Sequence, residues 1–410
     1  MYDIKKIRKD FPMLNGKTMQ GKPLVFLDNA STTFKPQCVI DAMNRYYLEM
    51  NANSHRGDYD LCYFVDCEIQ KSRETIAKFV NSEVNEVVFT SGDTEALNLV
   101  AYGYGLEFLK KGDEILLSEA EHASNVLPWY RICELTGAKV VFAEIEDKKI
   151  TVDSIKKAFK EHKNIKIVSL AHVGNVLGYM INAKEIARIA HENGAILVLD
   201  GAQSVPHAKI DFKDLDIDFL GFSAHKMCGP TGVGCLVGKY DLLQKMATFK
   251  TGGGMNVKFF NNQEYIPLDA PAKFEAGTLN IAAIMGFKAA VDYINSIGVE
   301  EIHKHDAELC EYFVSKLEND DNIIIYNKDA RNGVISFNVK NVFAQDEATL
   351  LNSKGIAVRS GQQCAKMIDN VLHVPATVRM STYLYTSKEE VDALIENLIN
   401  GGDILDAYFN

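Results

Sequence analysis

Short apolar runs alternate along this chain with longer stretches of helical periodicity. That alternation is the strongest constraint on its fold, because it is how α/β architectures with a largely parallel sheet are written. The runs expected as strands are Pro23 to Leu27, Glu86 to Thr90, Glu114 to Ser118, Lys139 to Ala143, Lys166 to Ala171, Ala195 to Asp200, Phe219 to Ser223 and Gly232 to Val237. Between them, Thr94 to Lys110 repeats apolar residues at helical spacing, and Ala183 to Glu192 stops at Asn193-Gly194, a helix-ending pair. After about residue 295 the character changes to a helix Glu300 to Glu318, strands Ile323 to Tyr326 and Gly333 to Val339, and a helix through Asp346 to Asn352. The expected organisation is a large domain over residues 21–295 and a smaller one formed by 1–20 and 296–410.

A chain of 410 residues can bury a large core, and 47% hydrophobic with 24% charged residues excludes disordered and fibrous classes. A formal charge of −11 with no dense basic block argues against nucleic acid or an anionic membrane as partner. The opening Met1 to Lys9 has no apolar signal-peptide core, and no apolar run approaches membrane-spanning length. A cytoplasmic protein is expected. The eight cysteines contain no Cys-x-x-Cys pair and no zinc-type spacing, so no metal is expected. Cys364 differs from the rest, because it lies in the polar, glycine-containing stretch Val358-Arg359-Ser360-Gly361-Gln362-Gln363-Cys364 beside an arginine. A cation near a loop thiol favours its nucleophilic form.

Asp200 closes the apolar run from Ala195, and Lys226 follows 26 residues later in Phe222-Ser223-Ala224-His225-Lys226. An aldehyde cofactor needs an amine to anchor it, and its electron-sink ring needs a carboxylate to keep the ring nitrogen protonated. Asp200 and Lys226 suit those tasks and read as a pyridoxal phosphate site. As an isolated pair they would equally be a strand-ending acid and a surface lysine, so the neighbouring segments decide. Ser91-Gly92-Asp93-Thr94 follows a strand and opens a helix, where backbone N–H groups and the Thr94 hydroxyl can cradle a phosphate or merely cap the helix. His122 falls just past another strand end, where α/β sites gather. Ser223 and His225 are within reach of the same phosphate. The glycine-rich stretches Gly229 to Gly234 and Thr251 to Gly254 fit neither the dinucleotide nor the P-loop pattern and are read as turns.

In order along the chain, Asp200-x-x-Gln203, Ser223-Ala224-His225-Lys226-x-x-Gly229-Pro230-x-Gly232-x-Gly234, Phe274-Glu275-Ala276-Gly277-Thr278 and Val358-Arg359-Ser360-Gly361-x-x-Cys364 resemble the class V aminotransferase-fold cysteine desulfurases. The likeness runs from Leu27-Asp28-Asn29-Ala30 to Arg379, and the short cysteine loop is similar to that of the SufS-like group. The resemblance implies a pyridoxal 5'-phosphate-dependent transferase of fold type I, with a mainly parallel seven-stranded sheet and a smaller α+β C-terminal domain. It implies that Lys226 anchors the cofactor and serves as base at the substrate Cα, that Asp200 pairs with the ring nitrogen, and that Gln203 bonds the ring hydroxyl. His122 would stack on the ring. Thr94, Ser223 and His225 would hold the phosphate, with Thr278 reaching it from the second subunit of a homodimer. Arg379 and Asn175 would take the carboxylate of L-cysteine, and Cys364 would attack its sulfur from a mobile, guided loop. The persulfide formed would pass to a protein acceptor of the Suf type, with iron–sulfur cluster assembly as the expected destination.

The chain also departs from the family pattern. Asp93 stands where relatives usually carry a hydroxyl residue, and a carboxylate near a phosphate is repulsive unless it points away to cap the helix. Gln362-Gln363 replaces a frequent His-His, which leaves the activation of Cys364 open. Gln345 stands where some relatives that serve a zinc-bearing SufU-type acceptor have histidine, so any acceptor here is expected to be of another kind or to dock differently. His55-Arg56 are read either as lining the entry or as plain surface. A selenocysteine lyase or cysteine sulfinate desulfinase of the same fold, and a cofactor-bearing scaffold without chemistry, are the alternatives.

Overall fold

The computed structural model describes residues 2–54 and 57–400; the expectation for His55-Arg56 therefore lies outside the described residues. Seven strands form the main sheet: β1 Val87–Thr90, β2 Glu114–Leu117, β3 Lys139–Phe142, β4 Ile165–Ala171, β5 Ile196–Asp200, β6 Phe219–Ser223 and β7 Gly234–Gly238. Their order across the sheet is β1-β7-β6-β5-β4-β2-β3. β7 runs antiparallel to both β1 and β6, while the β6-β5-β4-β2-β3 pairs are parallel.

Alternation along each strand explains why these runs are apolar throughout. Leu116, Leu197 and Leu199 join one buried cluster, whereas Ile115, Leu117 and Val198 join another on the opposite face. A sheet covered on both sides needs apolar residues at every position, as parallel sheets do. A second, four-stranded antiparallel sheet contains β8 Ile323–Ile325, β9 Val334–Val339, β10 Arg359–Gly361 and β11 Thr377–Ser381, in the order β8-β9-β11-β10. It shares a core with Phe313 and Leu309 of the helix Val299–Leu317 and Leu394 of the helix Lys388–Asn400.

Three elements differ from expectation. The run Pro23 to Leu27 does not enter the main sheet, because Pro23 belongs to a short strand paired with Thr18–Met19 and Val25–Phe26 pairs in parallel with Ile356–Ala357. Its hydrogen-bonding groups are taken by Gly355 and Ala357, and Leu27 is buried in the second core. The helix expected over Thr94 to Lys110 is α-helical at Asp93–Val100, widens to a π-helical turn at Ala101–Gly105, and resumes at Leu106–Phe108. Gly103 lies within that turn, where a Cβ would come within 2.9 Å of the Ala247 carbonyl. The N-terminal segment was expected on the smaller domain and reaches both cores. Arg8 pairs with Glu390, while Ile7 and Phe11 lie in the main cluster.

The motif residue Glu275 does structural work. Its carboxylate takes a bidentate fork from Arg73 at 2.8 Å on each arm and the backbone N–H of Phe89 at 2.8 Å, so the loop before Thr278 is tied to β1. Both side chains are almost fully buried, and the guanidinium also lies 4.6 Å from the Phe89 ring centroid. Removing one partner strands the other charge in the interior. Arg73→Ala is expected to cost about 3–5 kcal/mol, read as a lower urea midpoint at unchanged slope.

Candidate active site

The carboxyl ends of β1, β2, β4, β5 and β6 meet the second sheet around a cavity of about 200 Å³. Strand ends of this kind are where α/β folds place ligands. Its walls include Thr94, His122, Asn175, Asp200, Gln203, Ser223, His225, Lys226, Cys364 and Arg379, all proposed from the sequence. Thr278 is not brought there. It is exposed on a separate small cavity with Asn53 and Gly254, donating its hydroxyl to Asn53 Oδ1 at 3.3 Å. A larger cavity of about 340 Å³, which shares Ala171 with the first, is lined by Glu121, Lys149, Tyr179 and Asp329 and contains none of the expected residues.

Asp200 ends β5 and is buried; its Oδ1 accepts the Ala202 N–H at 2.9 Å. Lys226 closes the short turn Ala224–Lys226 after β6. Burial lowers its amine pKa, the Arg379 charge works in the same direction, and the Asp200 charge opposes them. A lysine held below its usual range is a better nucleophile and base near neutral pH. His122 accepts the Ser124 N–H on Nδ1 at 3.1 Å, which assigns its proton to Nε2, and burial lowers its pKa. His225 is lowered to about 4, by burial first and then by Lys226 and Lys35, so its ring is neutral at pH 7.

The geometry fits a cofactor with a phosphate, a ring hydroxyl and a ring nitrogen. Gln203 donates Nε2 to the Ala30 carbonyl at 2.7 Å, while its Oε1 is buried with no hydrogen-bond partner. An orphan acceptor in a cavity wall calls for a donor from outside the chain. Thr94 and Ser124 bring their hydroxyls to 2.7 Å of each other at the start of the helix Asp93–Val100, where backbone N–H groups face an anion favourably. Close packing beneath them requires glycine, since a Cβ on Gly234 would meet the Phe222 carbonyl at 2.5 Å and Gly92 Cα at 2.7 Å.

Arg379 lies on β11 and is 2% exposed. Nη1 donates to the Asn175 carbonyl and Nη2 to Asp28 Oδ1 and Ser31 Oγ, all at 2.9 Å. The Asn175 side chain donates to the Gln363 carbonyl at 2.7 Å and so holds the cysteine loop. That loop is pinned rather than loose. The Gln363 amide donates to Thr377 O at 3.0 Å and accepts from Thr377 Oγ1 at 3.2 Å, and the Cys364 carbonyl accepts the Ala123 N–H at 2.9 Å. Gln363 and Cys364 have φ of 46° and 65°, an unusual left-handed pair that presents an exposed thiol in the cavity wall.

Ser31 and Glu121 were not singled out from the sequence, and Arg359 was noted there only as the cation beside Cys364. Arg359 and Ser31 line the cavity, and Arg359 donates to Ser31 Oγ at 3.1 Å. Glu121, next to His122, is buried against Ser118, Asn125 and the Ala171 N–H, and burial raises it to about 7. Asp93 does not cap its helix. Its side chain is buried beside Asp200 because the space above Gly221 admits it.

The model of the class-V aminotransferase family matches residues 25–394. A probable cysteine desulfurase of Halalkalibacterium halodurans is 42% identical over 395 residues, covering 96% of each chain. A cysteine desulfurase of Haloferax volcanii is 40% identical over 410 residues, again covering 96% of each. Among solved structures, an apo cysteine desulfurase from Thermococcus onnurineus NA1 superposes with a TM-score of 0.91 at 34% identity, over 97% of both chains.

Proposed function

The chain belongs to the class-V aminotransferase family, and from that premise we propose that it is a pyridoxal phosphate-dependent cysteine desulfurase of the SufS-like group. It converts L-cysteine to L-alanine and passes the sulfur, as a persulfide on Cys364, to a protein acceptor for iron–sulfur cluster assembly. The observation that carries this reading is the convergence of Lys226, Asp200 and the exposed Cys364 thiol on one cavity.

Pyridoxal 5'-phosphate, when bound, supplies an electron-withdrawing ring that stabilises negative charge at the substrate Cα. The chain supplies the rest. Lys226 would anchor the aldehyde and move the Cα proton, tasks that its lowered pKa supports. Asp200 would keep a proton at the ring nitrogen, Gln203 Oε1 would accept from the ring hydroxyl, and His122 would cover the ring. Thr94, Ser223 and the neutral His225 hold the phosphate. Arg379, its fork oriented by Asp28, Ser31 and Asn175, binds the substrate carboxylate. Cys364 then attacks the substrate sulfur: a sulfur–sulfur bond forms, the Cβ–sulfur bond breaks, and its electron pair stays on Cβ, which takes a proton to give alanine.

The same reading makes the enzyme cytoplasmic and homodimeric, with Thr278 serving the phosphate site of the partner subunit. The exposed position of Thr278 away from its own cavity supports this. The test is mass spectrometry of the cofactor-loaded protein given L-cysteine without reductant. One extra sulfur on the peptide containing Cys364, matched by an equal amount of alanine, is the expected result. Alanine with no such sulfur would sink the proposal in favour of a lyase that does not use the thiol.

A further inference from the structure

Asp93 is the one carboxylate in the cavity wall that the proposed chemistry leaves without a task. In register, Gly221 of β6 lies directly opposite Asp200 of β5. A Cβ built on Gly221 would come within 2.5 Å of Asp93 Oδ1, so the Asp93 carboxyl occupies the space that this glycine leaves open. The side chain is 6% exposed, and its Oδ1 is buried without a hydrogen-bond partner. Its neighbour is the Asp200 carboxyl. Ionised carboxylates only accept hydrogen bonds, so two in contact need a proton between them. The backbone N–H of Asp93 donates to Ser223 Oγ at 2.7 Å, and no side chain caps the helix Asp93–Val100.

We propose that Asp93 is protonated and donates to Asp200, so that the pair carries one negative charge and Asp93 is a positioning residue for Asp200. The proton stays on Asp93 because Asp200 Oδ1 already accepts the Ala202 N–H, which stabilises its charged form, whereas Asp93 Oδ1 has no donor. Burial, and then the charge of Asp200, push the Asp93 pKa well above the ordinary aspartate range, against a downward pull from Lys226. The other titratable groups that feel the pair are Cys235 on β7 and Glu121 and His122 after β2. Asp200 is thus held by a backbone N–H and a carboxylic acid. The consequence for the ring nitrogen rests on the cofactor reading above; the shared proton does not.

A carboxyl whose folded pKa is raised gives its full stability below the unfolded value of 3.8 and loses it as pH rises toward the folded pKa. Asp93→Asn keeps a donor that does not titrate. Its melting temperature is therefore expected to gain on the parent by about 3 °C or more between acidic and mildly alkaline pH, in the full chain with and without cofactor. Infrared spectra of the holoprotein near neutral pH should show a protonated-carboxyl band in the parent that is missing in Asp93→Asn, with Glu121 contributing equally to both. For positioning, Asp93→Asn should bind pyridoxal phosphate within about threefold of the parent and Asp93→Leu at least about tenfold more weakly. Asp93→Thr, which keeps a hydroxyl donor, serves the same comparisons if Asp93→Asn does not fold. Parallel melting profiles with no lost infrared band would overturn the shared proton, and equal affinities of the donor and Leu variants would overturn the positioning role. A parent that binds no pyridoxal phosphate at all overturns the cofactor reading instead, and the melting and infrared results still decide the pair.

Discussion

Cys364→Ala is expected to lower alanine release from L-cysteine by about 100-fold or more in the presence of reductant, while leaving the fold and bound cofactor intact. The loss is large because the thiol is the bond-forming atom, and the fold survives because the side chain is exposed and its loop is held by other atoms. Those atoms are the Gln363 amide against Thr377, the Gln363 carbonyl against Asn175, and the Cys364 carbonyl against Ala123. None depends on the sulfur. Lys226 and Arg379 line the same cavity as the Cys364 thiol, so the sulfur faces the groups that would hold its substrate. The measurement is alanine formed by parent and variant under identical conditions, with visible absorbance as the check on cofactor content. Equal release would remove Cys364 from the chemistry and return the selenocysteine or cysteine sulfinate reading to first place.

The contrast between Asp200 and Asp93 marks where sequence reading stops. Asp200 was legible because a carboxylate closing a five-residue apolar run can only sit at a strand end, and strand ends in this architecture face the ligand. The direction of Asp93 was not legible because it is decided by Gly221, a residue on another strand whose missing side chain leaves room across the sheet. The cysteine loop repeats the point. Losing two histidines reads in sequence as a loss of partners, yet Gln363 turns out to be the tether, through a Thr377 that is named by no motif. Likewise Arg379 could be placed from its family position, but its pairing with Asp28 joins residues 351 apart. That contact exists because Val25–Phe26 leaves the main sheet to pair with Ile356–Ala357. The strand pattern was readable because burial on both faces leaves a continuous apolar record. Long-range polar contacts leave none.

Lys226→Ala is expected to abolish both the covalent retention of the cofactor and the release of alanine, by a larger factor than any other substitution in the cavity. Two tasks converge on one amine, anchoring and proton transfer at Cα, and general base catalysis alone is typically worth about 10²–10⁴-fold. No neighbouring group can inherit them. His122 spends Nδ1 on the Ser124 N–H, and His225 is the residue next door whose ring faces Thr32. Arg379 is held on both terminal nitrogens by Asn175, Asp28 and Ser31 and does not give up a proton in this range. Borohydride reduction followed by digestion reads the first task, since the cofactor mass should be fixed to the peptide carrying Lys226 in the parent and to no peptide in the variant. Single-turnover alanine formation reads the second. Cofactor fixed to a different lysine would show that Lys226 is misassigned. Retained turnover would show that the base lies elsewhere, and the lowered pKa of this buried amine would then need another explanation than catalysis.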